Sequence, residues 1–145
     1  MDCRLRLADW DDVGTIYRWA NETAVRANSF CTEPIPYEVH ERWFRSLLDD
    51  PMRRQYILLA DGEEVGQLRL TKEDDTVEVG YSVAPEQRGR GFGKLLLKMA
   101  AEQAGNDFPD AQYLMGKVKP ENEPSRRAFL SAGFSEHCVE YRLAL

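Results

Sequence analysis

The sequence predicts a mixed α/β domain with a mostly antiparallel central sheet and helices on both of its faces. Segments with an apolar residue at every second position alternate along the chain with segments at helical spacing. Three of the predicted strands follow one another through short turns, which favours antiparallel pairing. A chain of 145 residues, 43% of them hydrophobic, can bury one core. We therefore expect a single domain over residues 1–145.

The first part of the chain predicts a strand and then helices. Residues 4–7 alternate as a strand, and Asp9 or Asp11 is placed to cap the helix that follows. Residues 21–36 are rich in Asn, Thr, Ser and Pro, which indicates an irregular segment or a short helix plus loop. A further helix is predicted over residues 37–48, and its expected apolar face consists of Val39, Trp43, Phe44, Leu47 and Leu48.

The middle of the chain predicts a meander of three strands. These strands cover residues 55–60, 65–70 and 77–83, with a tight turn at Asp61-Gly62 and a polar turn over residues 72–75. A helix follows the third strand and is expected to stop near Gly105 or Asn106.

The last part of the chain predicts a strand, a short helix and a final strand. The first strand covers residues 113–118, and Asn122 is placed to cap the helix, which Gly133 ends. Residues 134–145 predict a last strand or hairpin arm.

The stretch VEVGYSVAPEQRGRGFG, residues 77–93, joins the third meander strand to the helix after it. Alternation places Val77, Val79, Tyr81 and Val83 on one face of the strand. After Pro85 come glycines that leave backbone N–H groups uncovered, two arginines, and the positive end of a helix dipole. Neither the phosphate loop of nucleotide hydrolases nor the dinucleotide fingerprint has this spacing. The stretch predicts a site for a diphosphate.

The spacing Arg88-x-x-Gly91-x-Gly93, with Gln87 in front, resembles the acetyl-CoA loop of the GCN5-related N-acetyltransferases. The order of strands and helices resembles the fold of that family from the first strand to the last. The resemblance implies that acetyl-CoA is the co-substrate and that no metal takes part. It implies the following cofactor-binding residues: Val83, Arg88, Gly89, Arg90, Gly91, Phe92, Gly93, Lys94, Asn122, Ser125 and Phe129.

The family's carboxy-terminal signature is recognised in Asn122-x-x-Ser125-x-x-x-Phe129-x-x-x-Gly133-Phe134. Phe129 stands where the family usually has a Tyr that protonates the departing thiolate of CoA. Because phenylalanine cannot donate a proton, the general acid stays open. The candidates are Tyr81, Tyr113, Tyr141, Ser125 or a bound water.

The implied chemistry is direct attack of an amine on the acetyl thioester, through a tetrahedral oxyanion. We expect a backbone N–H in the Val83 region to polarise the thioester carbonyl. Glu78, a carboxylate in an otherwise apolar strand, is the candidate base. A strand Glu that simply faces solvent is the commoner case, since charged side chains are seldom buried without a partner.

The amino-terminal half resembles nucleotide-sugar N-acetyltransferases of bacterial surface-sugar pathways, including the pseudaminic acid type. The resemblance rests on Trp19-Ala20-Asn21, Val25-Arg26, Ser29, Ile35-Pro36, His40 and Trp43-Phe44, and the later Val65-Gly66-Gln67-Leu68-Arg69 fits it too. It implies that the acceptor is the 4-amino group of a UDP-linked deoxy sugar, which Asn21, Arg26, Ser29 and His40 would contact. Two alternatives are a branch that acetylates ribosomal protein amino termini and a noncatalytic acyl-CoA-binding module, which Phe129 favours.

Composition narrows the partners and the compartment. A net charge of −6 argues against nucleic-acid binding, and no apolar run approaches the ~20 residues of a membrane span. The three cysteines show no CxxC spacing, which argues against disulfides and zinc. The first residues lack the features of a secretory signal. We expect a cytoplasmic protein whose partner is a small-molecule amine, with a homodimer as one possible assembly.

Overall fold

The computed structural model describes residues 1–145 and contains one sheet and five α-helices. The strands are β1 (Cys3–Leu7), β2 (Arg53–Ala60), β3 (Glu63–Glu73), β4 (Thr76–Val83) and β5 (Tyr113–Met115). The helices are α1 (Val13–Ala20), α2 (Thr23–Asn28), α3 (Tyr37–Asp49), α4 (Phe92–Asp107) and α5 (Glu123–Ser131). No helix combines the length and apolar character that crossing a membrane requires.

The sheet has the strand order β1-β2-β3-β4-β5. The first four strands pair antiparallel, with α1–α3 between β1 and β2 and short turns between β2, β3 and β4. β5 pairs parallel to β4 after the crossover through α4. At the predicted turn between β2 and β3, Asp61 and Gly62 have φ values of 50° and 83°, the left-handed backbone of a tight hairpin turn. The predicted fold class, mixed and mostly antiparallel, is confirmed.

Helices cover both faces of the sheet, and each face has its own apolar core. On the α4–α5 face, the side chains of β2, β3 and β4 pack against α4, with Val77, Leu68 and Leu96 fully buried. On the α1–α3 face, Ile57 and Leu59 of β2 pack with Phe44 of α3. The period of two along each strand produces this division, because successive side chains point to opposite faces.

An ion pair ties β1 to the start of α1. Asp9 accepts the Asp11 amide, and Asp12 accepts the Asp9 amide at 2.9 Å, so the turn before α1 is capped reciprocally. The Arg6 guanidinium donates to both carboxylate oxygens of Asp12, at 2.9 and 2.7 Å. The Arg6 guanidinium lowers the pKa of Asp12, which is buried. Of the two predicted caps, Asp9 is used, but it caps the 3-10 turn Trp10–Asp12 that leads into α1, and α1 itself starts after Asp12 without a side-chain cap.

The buried face of α3 differs from the predicted one. Phe44 and Leu47 are buried as expected, but Val39 and Leu48 are 46% and 36% exposed, and His40 takes their place inside. His40 Nε2 lies 3.1 Å from the backbone carbonyl of Val13 in α1, so the imidazole has a hydrogen-bond partner inside the protein. The periodicity of α3 does not predict this burial, because the hydrogen-bond partner of His40 belongs to another helix.

The predicted last strand does not form. Residues 135–145 make no backbone–backbone hydrogen bond, and Val139, Tyr141 and Leu143 are 69%, 91% and 85% exposed. β5 is also shorter than predicted and ends at Met115. An alternating apolar pattern becomes a strand only where a neighbouring edge accepts its hydrogen bonds, and these residues meet no such edge.

Candidate active site

The loop between β4 and α4 presents a row of free amides. Gly89 and Gly91 have φ values of 79° and 85°, a conformation that glycine adopts without strain. Gly91 precedes α4 with no side-chain cap, and the backbone amides of residues 89–94 donate no hydrogen bond within the chain. Amides at a helix N-terminus, aligned with the helix dipole, bind phosphate oxygens. The loop therefore offers a row of amide donors to a diphosphate.

Each of the two loop arginines is oriented by a neighbour. Arg90 donates to Gln87 Oε1 at 2.5 Å, and its guanidinium carbon lies 5.1 Å from the Phe92 ring centroid. Gln87 is buried and donates in turn to Glu63. Both Arg90 and Lys94, in the first turn of α4, are exposed to solvent at the rim of the amide row.

Arg88 makes an ion pair that the sequence did not reveal. Its Nη2 atom lies 2.6 Å from Glu22 Oε2, although the two residues are 66 positions apart in the chain. The Arg88 hydrogen bond lowers the pKa of Glu22, which also accepts the Val25 amide at the start of α2. The pair joins the loop between β4 and α4 to the α1–α3 layer.

β4 and β5 separate after three paired residues. Pairing ends at Glu78 and Met115, so residues 79–83 of β4 have an open edge on the β5 side. The Ala84 amide donates to the Val65 carbonyl of β3, and alternation along β4 directs the amides of Tyr81 and Val83 to the open edge. We call this opening the split. An extended chain can pair with β4 there, and the Val83 amide is placed to donate to a carbonyl.

The α5 side of the split carries two hydroxyls and an aromatic ring. Asn122 caps α5 and accepts the Ser125 amide at 3.4 Å. The hydroxyls of Ser125 and Tyr81 lie 2.7 Å apart. The Phe129 ring packs edge-on against Tyr81, with centroids 5.9 Å apart, and it lies so close to Gly116 that any side chain there would collide with it.

On the face of the sheet that packs against α1–α3, β4 carries Glu78 and β3 carries Arg69. The guanidinium of Arg69 lies 5.3 Å from the Trp43 ring centroid and forms no hydrogen bond or ion pair with another residue. Burial lowers the pKa of Arg69, and the nearby charge of Glu78 acts in the opposite direction. The strand register sets Arg69 opposite Gly80, where a Cβ atom would lie 3.1 Å from its Nη2.

Residues 3–135 match the family described as "Acetyltransferase (GNAT) domain". The chain belongs to the GNAT acetyltransferase family. It is an acetyl-CoA-dependent N-acetyltransferase, and the sequence-based prediction of this activity is confirmed.

Solved structures share the fold of this GNAT acetyltransferase. A spermidine N-acetyltransferase from Vibrio cholerae, in complex with CoA and spermine, has a TM-score of 0.84 at 20% identity, over 94% of this chain and 82% of that one. An aminoglycoside acetyltransferase with coenzyme A and kanamycin has a TM-score of 0.79 at 21% identity, over 94% and 86%. A GNAT acetyltransferase from Streptococcus pneumoniae has a TM-score of 0.77 at 16% identity, over 99% and 91%. No curated protein sequence matches this chain.

The four predicted substrate residues of the acetyltransferase make their hydrogen bonds within the α1–α3 layer. Asn21 bonds both the amide and the carbonyl of Ile35, at 2.7 and 3.0 Å. Arg26 donates to the carbonyl of Ala20 at 2.6 Å and to Ser29 Oγ at 3.2 Å. His40 is buried, and burial lowers its pKa because the charged imidazolium is disfavoured there. Asn21 and Arg26 brace the loop between α2 and α3, since Arg26 also donates to the Cys31 carbonyl, whereas His40 bonds to Val13 of α1.

An acidic cavity of about 240 Å³ adjoins Glu78 in the acetyltransferase. It lies where the β3–β4 turn meets the end of β5. Its lining consists of Thr71, Glu73, Asp74, Asp75, Thr76, Glu78 and Met115. No group of three or more His, Cys, Asp or Glu side chains in residues 1–145 is arranged to hold a metal ion.

Sequence reasoning did not assign three features of the site: Glu22, the acidic cavity, and Arg69, which it noted only as part of a segment typical of the nucleotide-sugar enzymes. The sequence did contain a signal for Arg69, because alternation along β3 places it on the same face as Glu78 and opposite a glycine. Glu22 left none, because its partner Arg88 is distant in the chain.

Proposed function

We propose that this acetyltransferase transfers the acetyl group of acetyl-CoA to the 4-amino group of a UDP-linked deoxy amino sugar. The observation that carries the acceptor assignment is the unpartnered guanidinium of Arg69 beside Glu78 and Trp43. A planar cation of this kind suits the diphosphate or hydroxyl oxygens of a nucleotide sugar. A polycationic acceptor would be repelled by it.

Different residues of the site carry out different steps of the reaction. The amides of residues 89–94, with Arg88, Arg90 and Lys94, bind the diphosphate of acetyl-CoA, and Asn122, Ser125 and Phe129 line the arm that leads into the split. The Val83 amide polarises the thioester carbonyl. Glu78 accepts the proton that the amine releases on attack.

The proposal also covers the residues that border the acceptor, the cellular location and the oligomeric state. Asn21, Arg26, Ser29 and His40 shape the wall that faces the sugar nucleotide: the first two hold the loop between α2 and α3, Ser29 bonds to Arg26, and His40 holds α3 against α1. A cytoplasmic location is consistent with three free cysteines, and sedimentation velocity would test the homodimer.

A second candidate acceptor is a polyamine or an aminoglycoside. The acidic cavity beside Glu78 favours it, because clustered carboxylates attract a cationic amine. Spermine and kanamycin are bound in two of the similar structures. The two candidates therefore depend on different charges of the same site, namely the cation of Arg69 and the carboxylates of the cavity.

The test is acetyl-CoA-dependent release of free thiol with four acceptors: a UDP-4-amino sugar, spermidine, kanamycin and amino-terminal peptides of ribosomal proteins. We expect selective turnover of the sugar. Selective turnover of spermidine or kanamycin would establish the second candidate, and turnover of the peptides would move the assignment to the ribosomal branch.

A substitution makes the test specific to Arg69. In Arg69→Gln, the KM for the UDP-sugar should rise about tenfold or more, since a hydrogen bond to a charged group contributes about 1.5–3 kcal/mol. The KM for acetyl-CoA should not change. The matched control is Arg54→Gln, because Arg54 stacks on the Phe108 ring at 5.4 Å on the opposite face of the sheet. An equal effect of both variants would contradict a role of Arg69 in the acceptor site.

A further inference from the structure

The departing sulfur of CoA needs a proton or hydrogen-bond donor, and the side chain of Phe129 cannot supply one. When the C–S bond breaks, its electron pair stays on sulfur, and a hydrogen-bond donor or acid near the sulfur stabilises that charge. Phe129 lies on α5, with its ring against Gly116 at the split. A benzene ring offers no donor at this place.

The structure separates the hydroxyls that the sequence left as alternatives. Tyr113 is 63% exposed on β5, and Tyr141 is 91% exposed in the tail after α5. Tyr81 is partly buried, its ring meets Phe129, and its hydroxyl lies 2.7 Å from Ser125 Oγ. Among these tyrosines, Tyr81 is the one that contacts the ring standing in the usual donor position.

Tyr81 also lies on the correct side of β4 for a leaving group. Its ring lies next to Gly93 in the first turn of α4, where an added Cβ would be 3.4 Å from Tyr81 Cε2, and it extends from there to Ser125 and Phe129. Glu78 points to the opposite face of the same strand. An amine that approaches from the face of Glu78 expels the sulfur toward the face of Tyr81.

We propose that the Tyr81 hydroxyl donates the proton to the departing CoA sulfur, and that the Ser125 hydroxyl is its positioning partner. The amine nitrogen forms the new C–N bond, the C–S bond breaks, and the Tyr81 proton passes to sulfur. Ser125 donates to the phenolic oxygen, which regains a proton from solvent through this contact. Glu78 takes the proton that the neutral amine loses on attack and releases it to solvent, which balances the proton that Tyr81 regains, so the products are the amide and the CoA thiol.

The chemistry of the two hydroxyls decides which one faces the sulfur. A phenol is a far stronger acid than an aliphatic alcohol, so Tyr81 is the better donor of the pair. Burial raises the pKa of Tyr81, and the Ser125 hydrogen bond opposes this shift, so the phenol stays protonated at neutral pH. The Tyr81 hydroxyl therefore carries its proton before each turnover.

The experiment compares Tyr81→Phe with Tyr113→Phe, which removes an exposed hydroxyl from β5. In Tyr81→Phe, kcat should fall about a hundredfold, as expected for loss of a general acid, while the KM for acetyl-CoA stays within about twofold. Ser125→Ala should lower kcat by a smaller factor, and Tyr113→Phe should leave it unchanged. A kcat for Tyr81→Phe equal to that of the parent overturns the proposal.

A second readout does not depend on turnover. The thiol of CoA bound to the protein is titrated through the ultraviolet absorbance of its thiolate. In the parent, the Tyr81 hydroxyl should stabilise the thiolate, and removal of that hydroxyl should raise the pKa of the bound thiol by about one unit. If kcat falls in Tyr81→Phe but the thiol titrates as in the parent, Tyr81 has a structural role and the proposal is wrong.

Discussion

Arg6 and Asp12 show how one residue pair can determine the acid stability of this protein. The pair is bidentate, Asp12 is buried, and the same carboxylate caps the turn before α1. Asp12→Asn keeps the shape of the side chain but removes its charge. We expect it to lower the free energy of unfolding by about 1.5–3 kcal/mol at neutral pH, as measured by urea denaturation.

The pH dependence of this difference has a definite sign. Because the pKa of Asp12 is lowered in the folded state, its stabilisation is complete above the ordinary aspartate value of about 3.9. It is lost as the pH falls through the lower folded value, and the difference between parent and Asp12→Asn should shrink there. Asp11→Asn is the matched control, since Asp11 is exposed and its carboxylate has no partner. A difference that persists in acid would indicate a packing effect instead.

A second prediction at the residue scale concerns the two arginines of the loop between β4 and α4 and their effect on CoA affinity. Arg88→Ala combined with Arg90→Ala should weaken CoA binding about tenfold or more, because charge-assisted bonds to phosphate contribute roughly 1.5–3 kcal/mol each when well formed. Isothermal titration with CoA measures this. Arg142→Ala, which removes an exposed arginine paired with Glu140 in the tail, should bind CoA as the parent does. Unchanged affinity in the double variant would contradict the placement of the diphosphate.

At the scale of elements, the start of α4 depends on the left-handed backbone of Gly91. An alanine there has open space around its Cβ but must adopt a φ of 85°. We expect Gly91→Ala to cost roughly 1 kcal/mol of stability, or else to shift the loop and reduce CoA affinity, because L-residues are strained in this region. Thermal denaturation and CoA titration together detect either result.

Gly105 provides the matched control within the same helix. It also has open space around a would-be Cβ, but its backbone is helical. Gly105→Ala should therefore stabilise the protein by about 0.5–1 kcal/mol, through the higher helix propensity of alanine. If the two substitutions had the same effect, backbone strain at Gly91 would not be the cause.

At the scale of the whole molecule, two apolar cores share one sheet. Trp10, Trp19 and Trp43 all belong to or pack against the core on the α1–α3 face. Tryptophan fluorescence therefore reports on that face, whereas far-ultraviolet circular dichroism reports on all helices, including α4 with its core on the other face. We predict that residues 1–145 unfold as a single domain.

The measurement is urea denaturation followed by both signals. Coincident midpoints are expected, because β2 contributes Ile57 to one core and Leu58 to the other, so neither core can be lost alone. Separate transitions would show that the two faces unfold as independent units.

Much of the fold could be predicted because its signals are local. The period of two in β4 assigned Val77 and Glu78 to opposite faces, and Asn122 was recognised as the cap of α5. The left-handed backbone of Gly89 and Gly91, between β4 and α4, likewise depends on a few consecutive residues. Backbone preferences and side-chain alternation act within a turn or a strand, so a sequence displays them directly.

The sequence by itself determined the order of elements as far as α5, their buried faces in outline, and the glycine loop that marks a GNAT acetyltransferase. Only the tertiary structure decided that His40 is buried against Val13, that Glu22 holds Arg88, and that Tyr81 meets Ser125. It also left residues 135–145 without a strand partner. These outcomes depend on groups that are far apart in the chain, and a contact of that kind exists only after the elements have packed.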